Sequence, residues 1–310
     1  MKKSASLLLL LFMSILIIPI GDALAVTTFT TSFSVSGQTS QPDDIAFNSD
    51  GTKMFIIGGS NIYQYTLSTG FDVSTASYSG TSVSVSSQDN NPNGFAFNSD
   101  GTKMFIAGAT ADKIFEYTLN TGFDLSDTVT YSGNSLSLNA GNTVVTGIAF
   151  NSDGTKLYTL DGLDLEDAYE YSISTGFDLS SVTAFVAIRT LSNAQSDIIF
   201  NDDGSKVYSV RGGGNPVFQR SLSTAYDLSS STSDGGGLWL SSFDGSFSNL
   251  AFNSDGTKFF MLGGSNDKVY EYSVSTAFNL ADSIKPTVSS AATSDDTTII
   301  LTMSENVFDS

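Results

Sequence analysis

The sequence predicts an all-β protein: a five-bladed β-propeller of four-stranded antiparallel blades, its ring closed by the N-terminal strand. Three observations carry this. A ten-residue block, FNSDGTKMFI from Phe47, returns unchanged from Phe97, and with small changes as FNSDGTKLYT from Phe150, FNDDGSKVYS from Phe200 and FNSDGTKFFM from Phe252. A second block keeps step with it: YQYTLSTGFDVS from Tyr63, FEYTLNTGFDLS from Phe115, YEYSISTGFDLS from Tyr169, FQRSLSTAYDLS from Phe218 and YEYSVSTAFNLA from Tyr270. Beyond the first 25 residues no segment carries helical periodicity. Self-similarity at a spacing of about 50 residues marks a repeat architecture.

The N-terminus is read first as a removable leader. Lys2 and Lys3 precede an apolar run from Leu7 to Ile18, then Pro19, Gly21 and the small-x-small site Ala23-Leu24-Ala25. That is the layout of a secretory signal peptide, residues 1–25. The run is short for a membrane span, and no Cys follows it to carry a lipid.

Within each copy four strands are expected. A short apolar strand such as DIAFN leads into a Ser-Asp-Gly turn, where Gly can take positive φ. TKMFIIG forms the second strand. IYQYTLS forms the third, with Tyr63, Tyr65 and Leu67 on one face by the period of two. The fourth follows the STGFD turn and runs through segments such as VTYSGNSLSL. Asp50 and Lys53, with their equivalents, read as turn and hairpin residues, because a functional site seldom needs five copies. Fourth-strand material precedes every core block, whereas the last copy ends in a stub, FNLADS. Residues Phe29 to Gly37 are therefore expected to complete the last blade, which removes the unpaired edges.

These blocks resemble the Phe-x-x-Asp-Gly-x-Lys core of YVTN-type and lactonase-like propeller repeats, and more loosely WD-like repeats, over residues 27 to 284. The resemblance implies fold; it does not choose among the enzymes, binders and scaffolds built on that fold. Lactonase-type members are said to use an acid-rich or His-containing central site, and this chain has no His to inherit. KPTVSSAATSDDTTIILTMSENVFDS, residues 285–310, looks like the opening of a bacterial Ig-like domain, which needs on the order of 100 residues. The expectation is a propeller over 26–284, then an incomplete Ig-like domain or a tail, with further Ig-like domains of a longer chain beyond.

Composition narrows the partners. With 13 basic and 32 acidic residues the net charge is −19, and loss of the leader makes the chain more acidic still. Such a surface repels nucleic acid and anionic lipid, and no run after the leader is long enough to span a membrane. Zero Cys leaves stability to the core. Zero His removes the commonest general base and metal ligand. No Asn-x-Ser/Thr acceptor occurs, in keeping with a prokaryotic secreted or cell-surface protein.

Candidate sites follow from comparing the copies with one another. The turns between strands one and two, and three and four, are nearly identical and share one face; the loops on the other face vary. The variable face is therefore the expected binding surface. There the entrances to the innermost strands bring Asp43, Asp44, Asn93, Thr146, Ser196, Asp197, Ser248 and Asn249 towards the channel. Such a ring suits Ca²⁺, which takes six to eight oxygens, or a hydrated polar mouth. The loop DGLDLEDA adds Asp161, Asp164, Glu166 and Asp167, either a second calcium candidate or a solvated acidic loop. The fourth copy breaks pattern, with Arg211 before a Gly run, Arg220 in place of Tyr65, and Trp239 in the next strand. These could hold a sugar or carboxylate, or be one blade's packing variation. The leading function is a secreted or surface module that binds a glycan or protein without catalysis, with no cofactor unless Ca²⁺. The alternatives are a metal-dependent hydrolase or lactonase at the channel mouth, and a structural spacer.

Overall fold

The computed structural model describes residues 27–138, 144–162, 168–188, 191, 196–211, 216–235, 237–240 and 243–280. It describes the backbone alone for 186–188, 216, 239, 288–293 and 299–303. The leader falls outside the described residues, and so do Asp164, Glu166 and Asp167.

Each decamer folds as a hairpin fixed by its turn residues. Asp50 Oδ1 accepts the Thr52 N–H at 2.9 Å, and Asp100 Oδ1 accepts that of Thr102 at 2.9 Å. The turn Gly stands at positive φ in every copy, for example +71° at Gly51, a conformation that costs other residues dearly.

Strand β1 (Thr27–Ser34) comes first in the chain, and blade 1 follows as β2 (Pro42–Phe47), β3 (Lys53–Gly58), β4 (Asn61–Leu67) and β5 (Ala76–Ser84). Blade 2 is β6 (Pro92–Phe97), β7 (Lys103–Gly108), β8 (Lys113–Leu119) and β9 (Val129–Ser137). Blade 3 is β10 (Val145–Phe150), β11 (Lys156–Asp161), β12 (Ala168–Ile173) and β13 (Val182–Ile188). Blade 4 is β14 (Asp197–Phe200), β15 (Lys206–Val210) and β16 (Pro216–Leu222), its outer strand split into β17 (Ser231–Ser233) and β18 (Leu238–Trp239). Blade 5 is β19 (Phe247–Phe252), β20 (Lys258–Gly263) and β21 (Lys268–Val274), with β1 as its outer strand. The β1–β21 ladder runs antiparallel from Thr27 opposite Val274 to Ser34 opposite Lys268. The ring thus closes as the phase of the repeats predicts. Beyond it, β22 (Val288–Thr293) and β23 (Ile299–Met303) form an antiparallel pair of their own.

The core is divided among five apolar clusters, one at each blade interface. Between blades 1 and 2, for example, Phe55, Ile57 and Ile62 pack with Phe95, Met104, Ile106 and Tyr117. Across the closing seam Ile45, Met54, Ile56 and Tyr65 pack with Phe260, Leu262 and Val269. Each such large side chain contributes about 1.5–3 kcal/mol by leaving water.

Polar stitches cross the same interfaces. The aromatic of each STGFD-type turn stands at positive φ: Phe71, Phe123, Phe177, Tyr226 and Phe278 lie between +54° and +59°. For a bulky residue that is a strained backbone, and two contacts hold it. Its ring covers the turn Gly of its own blade so closely that a Cβ on Gly51 would sit 2.3 Å from Phe71. Its carbonyl accepts a hydrogen bond from the preceding blade: Lys53 Nζ to Phe123 O at 2.8 Å, Lys103 to Phe177 at 2.7 Å, Lys258 to Phe71 at 2.8 Å. At the remaining two junctions the Tyr158 and Tyr208 hydroxyls donate to the Tyr226 and Phe278 carbonyls.

A buried polar residue in the third strand does similar work. Gln64, Glu116, Gln219 and Glu271 accept the N–H groups of Leu125, Leu179, Leu280 and Val73 in the next blade, at 2.7–3.0 Å. The repeated decamer is architecture: at three of the five junctions its Lys ties one blade to the next.

Candidate functional site

Because side chains alternate along a strand, every second residue of the innermost strands shares one face. Three tiers follow from the repeat. The first is Asp44, Gly94, Gly147, Asp197 and Asn249. Next come Ala46, Ala96, Ala149, Ile199 and Ala251. At the turns stand Ser49, Ser99, Ser152, Asp202 and Ser254. Together with Phe47, Phe97, Phe150, Phe200 and Phe252, all of these except Gly94 and Gly147 line a central cavity of about 640 Å³.

The cavity has a floor and a mouth. Asp44, Asp197 and Asn249 are 5 %, 3 % and 1 % exposed, so the end nearest the variable loops is closed. The turn residues Ser49, Ser99, Ser152, Asp202 and Ser254 are exposed, so the cavity opens on the face of the repeated turns. This displaces the sequence expectation. Repetition had marked those turns as scaffold, yet the concave site lies between them, and the variable loops back its floor.

Two carboxylates dominate that floor. Asp44 Oδ1 accepts its neighbour Ile45 N–H at 2.5 Å, while Oδ2 reaches across the blade boundary to the Phe95 N–H at 2.7 Å. Asp197 repeats the arrangement, with Ile198 N–H at 2.7 Å and, in blade 5, Leu250 N–H at 3.1 Å. Burial lifts both acids above the ordinary carboxylate range. For Asp44, repulsion from Asp197 and then from Asp43 adds to burial, against the two N–H donors. Asp197 is pushed up to about 7 by burial, again against its two N–H donors. Acids that repel each other away from water share protons as a unit. Asp43, one residue outward, is raised to about 6 by burial, with a Gly59 backbone bond opposing.

Gly147 is required by this floor, since a Cβ there would stand 2.9 Å from the Asp197 Cα. Asn249 completes it. Its Nδ2 is buried and has no hydrogen-bond partner among the described residues. The Thr146 Oγ1 shares that condition. Asn93, by contrast, donates from Nδ2 to the Val145 carbonyl at 3.2 Å and does not line the cavity.

The other predicted residues lie elsewhere. Asp161 is buried at the end of β11, opposite Val145, outside the cavity lining. Arg211 is exposed just beyond β15, and Trp239 pairs with Pro216 at the outer edge of blade 4. Arg220 sits within β16 opposite Val207 and Ser233, its Nε 3.4 Å from the Ser231 hydroxyl. In other blades the residue at this position packs with a fourth-strand aromatic, as Tyr117 does with Tyr131 at 5.7 Å and Tyr171 with Phe185 at 5.2 Å. In blade 4 that aromatic is replaced by Ser233, so Arg220 answers a change in packing. Among the described residues no three acidic side chains converge as a metal site would need, and all four oxygens of Asp44 and Asp197 already accept N–H groups.

Sequence reasoning missed the polar ties behind the site. Asp89 and Asp244, both buried, hold the loops between second and third strands: Asp89 Oδ2 accepts Ala111 N–H at 2.7 Å and Asp244 Oδ2 accepts Asn266 N–H at 3.1 Å. It also missed Asp202 and Tyr226 at the mouth. The signal was a substitution inside an otherwise repeated segment, Ser to Asp and Phe to Tyr in copy four.

Fold and cavity together define a five-bladed propeller with a blind central pocket. No known family profile matches the chain, and no curated protein does. Solved structures are similar to part of it. A functionally unknown protein from Desulfotomaculum acetoxidans is 15 % identical at a TM-score of 0.45, over 72 % of this chain and 65 % of its own. A protein from Bacteroides uniformis, provisionally named a 6-phosphogluconolactonase, is 14 % identical at a TM-score of 0.44, over 72 % and 63 %. One of the same provisional name from Bacteroides fragilis is 12 % identical at a TM-score of 0.41, over 65 % and 55 %. The chain spans less than two-thirds of the length of these structures. No helix among the described residues is long and apolar enough to cross a membrane.

Proposed function

We propose that this protein is a secreted or cell-surface propeller that binds a glycan or protein ligand without catalysis, taking part of that ligand into the central cavity. The observation that carries the reading is the state of the floor. Asp44 and Asp197 spend one acceptor position on every oxygen to join neighbouring blades, which makes them fixed walls of a recognition pocket. A nucleophile or metal ligand needs its oxygens turned towards substrate or ion. The cavity is of a size usual for ligand sites, about 300–1,000 Å³, with apolar rings around a few convergent polar groups. The Lys2–Ala25 leader pattern and the acidic surface support an extracellular setting, and the Ig-like run after residue 285 supports a modular one.

The test is a glycan-array screen of the full chain, run with calcium and again with chelator, beside an assay of lactone hydrolysis. Specific array binding that survives chelation, with no turnover, is expected. Lactone turnover abolished in the triple variant D43N/D44N/D197N would overturn the binding reading in favour of a hydrolase.

A further inference from the structure

The cavity is not five-fold. Blades 2 and 3 bring only small groups to it, Ala96 and Ala149 above the floor and Ser99 and Ser152 at the mouth; in place of a floor side chain they have Gly94 and Gly147, which lie against Asp44 and Asp197. The cavity's side towards blades 4, 5 and 1 carries Asp197, Asn249 and Asp44 on the floor, and Asp202 and Tyr226 at the mouth. In copies otherwise nearly identical, the departures that face the axis gather on one side. A water-filled conduit has no need of that asymmetry. A ligand with one polar edge and one bulky face does.

The floor chemistry selects the ligand. Each oxygen of Asp44 and Asp197 has accepted one N–H, and a carboxylate oxygen has room for a second donor. Asn249 Nδ2, 1 % exposed and in the same tier, offers an N–H with no acceptor among the described residues. A group that fits must donate and accept within one small area. An ammonium only donates and leaves the amide unmatched. A phosphate or carboxylate only accepts and leaves the acceptor positions of the two acids unmatched. A hydroxyl does both, and neighbouring hydroxyls on a ring can address the acids and the amide at once. The lining above the floor includes Phe47, Phe97, Phe150, Phe200 and Phe252 beside the Ala and Ile tier, apolar groups that suit the C–H face of a pyranose.

Building on the binding reading above, we infer that the cavity is a carbohydrate site: a neutral sugar enters through the repeated-turn face, sets hydroxyls against Asp44, Asp197 and Asn249, and lies towards Ala96 and Ala149 of blades 2 and 3. Asp202 and Tyr226 border its entrance.

The test uses the full chain and calorimetric titration with free glucose, galactose, mannose, fucose and N-acetylglucosamine, with n-butylamine and the tripeptide Gly-Gln-Gly as controls. Two variants accompany it. Asn249→Leu removes the unmatched donor. Ala96→Leu fills the opposite wall without touching the floor, and its melting temperature verifies folding. At least one sugar should bind, and each variant should weaken it about tenfold or more, the amount that one good hydrogen bond or a blocked pocket commands. Binding of butylamine or the tripeptide in preference to every sugar would overturn the carbohydrate assignment. Sugar binding that both variants leave unchanged would move the site out of the cavity while sparing the binding-module reading. A chain that binds no free sugar and nothing on the array would defeat both.

Discussion

Blades 2 and 4 start from the same repeat and end in different trades. Blade 2 has a nine-residue outer strand, β9, whose Tyr131 packs on Phe115 and Tyr117, and Lys103 is fastened to both Phe177 O and Glu116. Blade 4 has an outer strand split into three and two residues, Arg220 in place of the aromatic, and Lys206 bonded to Asp234. Towards the axis the contrast reverses. Blade 2 offers Ala96 and Ser99 to the cavity, while blade 4 offers Asp197, Ile199 and Asp202. A regular blade invests in cohesion and an irregular one in chemistry, and a ring can hold an irregular blade because its neighbours are regular.

The sharpest way to break this comparison is to truncate the matched outer-sheet residues. Tyr117→Ala should cost about 3–5 kcal/mol, since the ring is buried in the interface between blades 1 and 2. Chemical denaturation would read it, and a cost near that of a surface substitution would deny blade 2 its structural part. Gly101→Ala should follow, at roughly 2–3 kcal/mol, because φ is +71° and the new Cβ would stand 2.2 Å from the Phe123 ring. Lys103→Met removes bonds to Phe177 O and to the buried Glu116, so it should lower stability by about 1–3 kcal/mol. Lys206→Met, with Asp234 at 3.3 Å, should lose less. Equal losses in the two would mean that the interblade tie is worth little.

The acids of the floor give a pH signature. A carboxylate whose pKa is raised on folding binds its proton more tightly in the native state, so its stabilising effect is full below about pH 4 and lost as pH rises through about 7. The wild type should therefore lose stability between pH 4 and pH 8 faster than Asp197→Asn, as urea midpoints at the two ends would record. Parallel curves would show that the floor acids titrate normally. The smallest effect is expected for Arg220→Ala, within about 1 kcal/mol and without change in ligand binding, since the side chain meets Ser231 at the outer sheet.

The difference between the two blades also explains what the sequence disclosed. Strand order, blade number and closure were legible because repeats of about 50 residues advertise their own phase. The acids Asp44 and Asp197 were legible as channel residues because they precede the innermost strands. The Lys tie was not, because its acceptor is a backbone carbonyl one blade away, and any residue carries a carbonyl. Nor was the direction in which the cavity opens. Repetition along the turns concealed that five modest side chains, each ordinary alone, form a rim when brought round an axis. Asp202 and Tyr226 were the readable exceptions.

The pairing of Thr27 with Val274 has a consequence for the order of events in the cell. Of the strands of the ring, β1 is the first to be made and its partner β21 the last. Until β21 exists, β1 has no partner, so a partly synthesised chain cannot complete its ring. Premature closure of the ring is thereby withheld by topology alone.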